Sequence, residues 1–125
     1  MILNGTLFKV SDQSGAFTAA CIRVLGKVKK RLGKIGDLVL VSIKRIDRKK
    51  KKKRYKKGML RLGVIVRTKQ KYKRALGVFL SYDENAIIMV NRKKCPVTRK
   101  LRGPIPFEVC LKYRYIATVA KGSVI

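Results

Sequence analysis

The chain has 125 residues, of which 33 are Lys or Arg and 6 are Asp or Glu, giving a formal net charge of +27 with no histidine. That length makes one domain with a modest core, and 46% apolar content excludes a wholly disordered chain. Self-repulsion on this scale opposes compaction unless a polyanion neutralises it, so a phosphate-rich partner is the simplest expectation. A membrane surface is the weaker one, because no long amphipathic basic helix is visible. No run of about eighteen apolar residues occurs, so no membrane span is expected.

The N-terminal stretch reads as a first strand, Thr6 to Val10, with no secretory or transit-type leader ahead of it. Ser11-Asp12-Gln13-Ser14-Gly15 is a turn cluster whose Asp and Ser can bond nearby backbone. Thr18 to Leu25 is the second strand, with Ala20, Ile22 and Val24 on one face and Arg23 on the other. A basic connection runs over 27–34, and Gly36-Asp37 turns into Leu38 to Ile46, an almost continuous apolar run that suits a strand partly covered on both sides.

Residues 44–57 carry eleven basic side chains, including five consecutive lysines at 49–53. A helix or a strand would place like charges beside one another, so this segment reads as an extended loop that is ordered only when bound. Residues 58–91 are the centre of the chain. Leu60, Leu62, Val64 and Val66 alternate with Met59, Arg61, Gly63, Ile65 and Arg67, the period of a strand with one fully apolar face. Gly63 inside it marks a bulge or a close backbone approach. A basic excursion from Thr68 to Arg74 leads to a second apolar run, Val78 to Tyr82, read as another core strand. A polar turn at Asp83-Glu84-Asn85 then leads to a third, Ala86 to Val90.

A second basic loop, 92–102, ends at Gly103-Pro104. Pro104 is placed to open a short helix through Phe107 and Val109, and Leu111, Tyr115 and Val119 make one face of a second. Strands divided by glycine turns every eight to fifteen residues predict a small closed β-barrel, which also removes sheet edges. The barrel strands are expected within about 5–91, the basic loops at 27–34, 44–57 and 67–77, and the C-terminal loop and helices at 92–125.

Catalytic chemistry finds little support. The chain has no histidine base and no glycine-rich phosphate loop. Asp83 and Glu84 diverge on a tight turn, which does not make a hydrolytic pair, while Asp12 and Asp37 read as turn-formers. Cys21, Cys95 and Cys110 lie too far apart for a zinc set, so free thiols are expected, with Cys21 inside or against the barrel wall. No cofactor or metal is expected.

Several fragments, in order and over nearly the whole length, resemble the family of the universal large-ribosomal-subunit protein fourteen. The family's Asp-Asn-Ser-Gly-Ala turn is matched by Asp12-Gln13-Ser14-Gly15-Ala16, and its Cys-Ile-Lys-Val-Leu-Gly strand by Cys21-Ile22-Arg23-Val24-Leu25-Gly26. A Gly-Asp introduces the third strand, as Gly36-Asp37 does here. The most specific pieces are Val64-Ile65-Val66-Arg67-Thr68-Lys69 and Tyr82-Asp83-Glu84-Asn85-Ala86, followed by Gly103-Pro104-Ile105 and the acid at Glu108. The resemblance implies a five-stranded barrel with a projecting β-ribbon and a C-terminal segment of one or two short helices. It further implies a structural constituent of the large ribosomal subunit that binds rRNA at the subunit interface. Its other implied partners are a neighbouring ribosomal protein, through β-pairing, and small-subunit rRNA, through an intersubunit bridge. In some lineages a silencing factor that blocks subunit joining binds the same surface.

There are departures from the family pattern. Its Pro-Ile-Gly-Thr-Arg turn is here Pro96-Val97-Thr98-Arg99-Lys100, which leaves open which of Thr98, Arg99 and Lys100 inherits the surface contact. The lysine run is longer than usual, and the hairpin around Lys71 to Leu76 lacks an Asp-Gly turn.

The expected RNA contacts follow the basic loops: Lys27, Lys29, Lys30 and Arg31; Lys44, Arg45, Arg48, Lys49, Lys50, Lys51, Lys52, Lys53, Arg54, Lys56 and Lys57; Arg67, Lys69, Lys71, Lys73 and Arg74; and Arg92, Lys93 and Lys94. Lysine offers a point charge to phosphate, and arginine adds bidentate or stacking contacts. Tyr55 and Tyr72 lie inside basic loops and either stack on splayed bases or pack back on the barrel. Thr98, Arg99, Lys100, Arg102 and Arg114 are the expected intersubunit or partner surface. A free-standing single-strand binder of OB type is the alternative, although such barrels carry aromatics on exposed strands; a membrane-surface binder is a third. Lysine-, isoleucine- and tyrosine-rich composition, with an N-terminus starting at the family's first strand, points to an organelle-encoded mitochondrial chain over a plastid or bacterial one.

Overall fold

The computed structural model describes residues 2–26, 32–46, 55–74, 77–120 and 124–125. Five strands close a barrel in the order β1 (Leu7–Val10), β2 (Ala16–Val24), β3 (Leu38–Ile46), β4 (Leu60–Arg67) and β7 (Ala86–Val90). The closing contact is parallel, with Lys9 beside Ala86 and Val10 beside Ile87. Between β4 and β7 the chain makes a separate two-stranded ribbon, β5 (Tyr72–Lys73) with β6 (Phe79–Leu80). Two short helices follow, α1 (Phe107–Lys112) and α2 (Arg114–Val119).

The strands bury two cores on opposite sides of one wall. Inside the barrel, Phe8, Val10, Ala19, Cys21, Val39, Val41, Ile43, Ile65, Ile87 and Met89 pack together with Ile2 and Tyr55. Outside it, Val64, Val66, Ala86, Ile88 and Val90 pack under Ile105, Val109, Tyr113, Ile116 and Ala120. Strands β4 and β7 therefore carry apolar residues on both faces, which is why β7 reads as an unbroken apolar run. The fully apolar face of β4 is the one under the helices, not the one lining the barrel. Gly63 marks a close approach: a Cβ there would sit 3.1 Å from Ile87 Cδ1 and 3.4 Å from the Ile88 carbonyl oxygen. The β4 register shift falls instead between Ile65 and Arg67.

Four expectations are corrected. In β2, Ala19 and Cys21 face the interior while Ile22 and Arg23 are exposed. A register shift between Cys21 and Arg23 then turns Val24 inward, so simple alternation misassigns this strand's faces. The Val78 to Tyr82 run is not a core strand, because Val78 and Phe79 are exposed and only Phe79–Leu80 pairs, within the ribbon. The second helical face is not Leu111, Tyr115 and Val119. Tyr113 leaves helical geometry (φ −121°, ψ 101°), which resets the phase between α1 and α2. Leu111 and Tyr115 are exposed, and Val109, Tyr113 and Ile116 are buried in their place. Pro106 precedes α1, so that helix begins beyond Pro104.

Candidate RNA-binding surface

Strand register sorts the basic loops into two poles. Strand β3 runs antiparallel to β4, with Leu38 beside Val64 and Ser42 beside Leu60, and β4 runs antiparallel to β7, with Leu62 beside Val90. The end of β3, the start of β4 and the end of β7 therefore share one end of the barrel. That end carries the connection after β3 and the turn after β7. The opposite end carries the turn before β3 and the ribbon.

At the first pole, β3 continues past its last fully buried residue, Ile43, through the exposed Lys44 and Arg45 to Ile46, which packs against the barrel cluster. The Arg45 guanidinium lies 5.6 Å from the Phe17 ring centre. Tyr55 is only 6% exposed, inside the barrel cluster, with Arg61 at 5.9 Å from its ring. Of the two readings of Tyr55, the structure gives the packed one, and stacking on a base is corrected. Lys56 and Lys57 are exposed beside it. Arg48 to Arg54 lie outside the described residues, as do Lys27, Lys29, Lys30 and Arg31. After β7, Asn91 Oδ1 accepts the Lys93 and Cys95 amides at 2.9 and 3.0 Å, and Lys94 sits in left-handed conformation (φ 62°). This tight turn holds Arg92, Lys93 and Lys94 in solvent.

At the second pole, Lys69, Lys71 and Lys73 are exposed, while Tyr72 is half-buried. Asn85 Oδ1 accepts the Lys69 amide at 2.9 Å, fixing where the excursion leaves the barrel. The ribbon turns without an Asp-Gly pair: Gly77 takes φ 81° and donates to the Arg74 carbonyl at 2.9 Å. Arg74 is drawn inward, its Nε 2.6 Å from Glu108 Oε1 and its guanidinium 4.5 Å from the Phe107 ring centre.

Arg67 corrects a further expectation. It is 4% exposed, and its guanidinium is spent within the protein. Nη1 donates to the carbonyls of Arg102 (3.1 Å) and Pro104 (2.8 Å), and Nη2 donates to Glu84 Oε1 (3.0 Å) and to Ser11 Oγ. It cannot offer a fork to phosphate; it fixes the chain that carries the third surface instead. There Arg102 donates its amide to the Ser11 carbonyl at 2.6 Å, and Leu101 bridges to Asp12. Thr98 donates to the Lys100 carbonyl at 3.3 Å, leaving Arg99, Lys100 and Arg102 exposed. Arg114, at the start of α2, is exposed as well.

The sequence reading makes Asp12 and Asp37 turn-formers, as observed, and misses the longer-range part played by Asp12, Glu84 and Glu108. Asp12 is buried and accepts from the Ser14 amide and hydroxyl and, across the barrel wall, from the Met89 amide at 3.0 Å. Asp37 accepts the Lys34 amide at 2.7 Å, as a turn-former does. Glu84 pairs with Arg67 and with Lys9 at 3.4 Å, and Glu108 pairs with Arg74. The available signal is rarity: in a chain with six acids, these four are placed where each offsets a specific donor. Burial raises the Cys21 and Cys110 thiols above their usual range, which keeps them protonated. Among the described residues no three of His, Cys, Asp and Glu come together to hold a metal.

The arrangement is a rigid barrel with basic side chains at both poles and internal acids that hold the loops. A protein-family model described as ribosomal protein L14p/L23e matches residues 1–124.

Proposed function

The chain belongs to the ribosomal protein L14p/L23e family, as a structural constituent of the large ribosomal subunit and not an enzyme, and on that premise we propose that its two basic poles bind large-subunit rRNA at the subunit interface. The observation that carries this reading is the two-pole arrangement of exposed lysines and arginines on loops anchored to a closed barrel. Lysines at the poles neutralise phosphate, and the barrel fixes their spacing, so the RNA is recognised by shape and backbone.

The loop carrying Thr98, Arg99, Lys100 and Arg102, with Arg114, faces small-subunit rRNA and contributes to an intersubunit bridge. Clamping by Arg67 supports this role, because a bridge needs a loop whose position does not drift. The same surface suits a silencing factor that blocks joining. The two-stranded ribbon leaves one edge of each strand unpaired, which suits β-pairing with a neighbouring ribosomal protein. Richness in lysine, isoleucine and tyrosine supports a mitochondrial large subunit.

Sucrose-gradient sedimentation of native lysate, in low and high salt, tests the reading. Co-migration with large subunits and whole ribosomes through moderate salt is expected. Recovery in light fractions would refute it. Replacing Lys44, Arg45, Lys56 and Lys57 with Gln should flatten the salt dependence of RNA binding, by roughly 0.7–0.9 in log–log slope for each phosphate that is no longer neutralised.

A further inference from the structure

At the second pole a cleft of about 580 Å³ opens between the ribbon and the Gly33–Ile35 segment. We propose that it receives one unstacked nucleotide, its base inside and its phosphate at the rim; this rests on the rRNA-binding reading above.

Size and lining both fit. Small-molecule sites occupy roughly 300–1,000 Å³, and one nucleotide lies within that range. Lys34, Lys71 and Lys73 line the cleft and are exposed, which places positive charge where a phosphate can remain hydrated. Phe79 brings aromatic surface to the cleft from the ribbon face it shares with Lys73, whereas Tyr72, paired with Leu80, lies on the opposite face with its hydroxyl near Glu108. Phe79 is 61% exposed, so its ring is open to a stacking base. Tyr55 is buried in the barrel and Phe107 lies under Arg74, so neither offers this surface.

The cleft is also preformed. On one side Gly33 donates to the Ile2 carbonyl at 2.8 Å, and a Cβ at Gly33 would sit 2.9 Å from Ile65 Cδ1, so this wall is pressed onto the barrel core. On the other, the Arg74–Glu108 pair ties the ribbon to α1. Glu108 also lines the cleft, but both its carboxylate oxygens face the Arg74 guanidinium, so its charge is offset within the protein. Phe79 and the lysines set the direction of entry: base against the Phe79 ring, phosphate toward Lys34, Lys71 and Lys73. Gln70, exposed and also in the lining, carries a donor and an acceptor suited to a base edge. Recognition of splayed bases by stacking is a common way for proteins to hold folded RNA.

The test is a high-resolution reconstruction of large subunits containing this chain, together with chemical probing of their rRNA. A base inside the cleft, against the Phe79 ring and continuous with the rRNA chain, is the expected result. In subunits carrying Phe79→Ala, a surface change away from both cores, that nucleotide should become several-fold more reactive while the rest of the rRNA against the chain stays protected. An isolated mononucleotide in the cleft, a protein segment in it, or an open cleft would each overturn the proposal. If rRNA still covers the other basic loops in those cases, only the cleft assignment falls. If no rRNA touches the chain, the rRNA-binding reading falls with it.

Discussion

Arg74 and Glu108, 34 residues apart, meet with Nε 2.6 Å from Oε1, and that contact joins the ribbon to the first helix. Arg74 Nη2 also donates to the Ile125 carbonyl at 2.7 Å, and the Tyr72 hydroxyl stands 3.5 Å from Glu108 Oε2. The ribbon has two residue pairs of its own, too few to hold a position without this anchor.

Glu108→Gln should therefore loosen the ribbon and leave the barrel intact. We expect amide exchange at Arg74 and Tyr82, which donate to Val78 and Thr68, to accelerate by about tenfold. Exchange at Ile65, bonded to the Asp37 carbonyl, should not change. Equal acceleration at both places, read by hydrogen exchange, would show that the anchor serves the whole fold.

Arg67→Met removes donors to two carbonyls, Ser11 and Glu84. Glu84 is 36% exposed and keeps Lys9, so the ion pair itself is screened and the cost falls on the part-buried carbonyls and the buried Ser11 hydroxyl left without their donor. A loss of about 2–3 kcal/mol is expected from urea unfolding followed by circular dichroism. Gly103→Ala should act through the same latch. Its Cβ would lie 2.9 Å from Arg67 Nη1, at a backbone φ of +76° that only glycine adopts easily, for about 1–2 kcal/mol. A neutral Arg67→Met would mean that the 98–104 loop is held by other interactions.

Tyr113 gives a pH test. Its hydroxyl donates to the Gly36 carbonyl at 2.8 Å, and burial, followed by the Asp37 carboxylate, raises its pKa above the ordinary 10.0. The folded state thus holds this proton more tightly than the unfolded state. The stabilisation is complete below the unfolded value and is lost as pH rises through the folded one. Wild type should exceed Tyr113→Phe by about 1 kcal/mol at neutral pH, and the gap should narrow above about pH 10. A gap that widens there would reverse the assignment.

Thiol labelling should separate the cysteines. Cys21 is 3% exposed and its thiol is pushed up by burial, whereas Cys95 is half-buried in the turn after β7. Iodoacetamide should modify Cys95 in the native protein and Cys21 only after denaturation. Early modification of Cys21, read by peptide mass, would place it outside the barrel.

Much of the barrel is legible in the sequence because its signals are local. The limits expected for β3 and β7 coincide with those observed, since β-branched runs bounded by turn residues carry both period and ends. The faces of β2 are not legible, because a bulge shifts phase without changing composition. The run from Val78 resembles a core strand in sequence and lies in the ribbon, since an apolar residue does not announce whether a partner or the interior will cover it. At the site, exposed lysines can be named from the sequence because long charged side chains stay in water unless paired. Arg67, Arg74 and Tyr55 cannot be assigned that way, because residues far along the chain decide their environment.

Charge, length and strand periodicity, all sums or patterns over neighbouring residues, settle by themselves that this is a small basic β-protein suited to a polyanion. Only the tertiary structure decides which basic residues face outward. Strand register gathers the loops into two poles. Two of the few carboxylates, placed by folding 3.0 Å from the Arg67 guanidinium and 2.6 Å from that of Arg74, withdraw both arginines from the surface. Electrostatic pairing depends on distance in space, and that distance does not exist until the barrel closes.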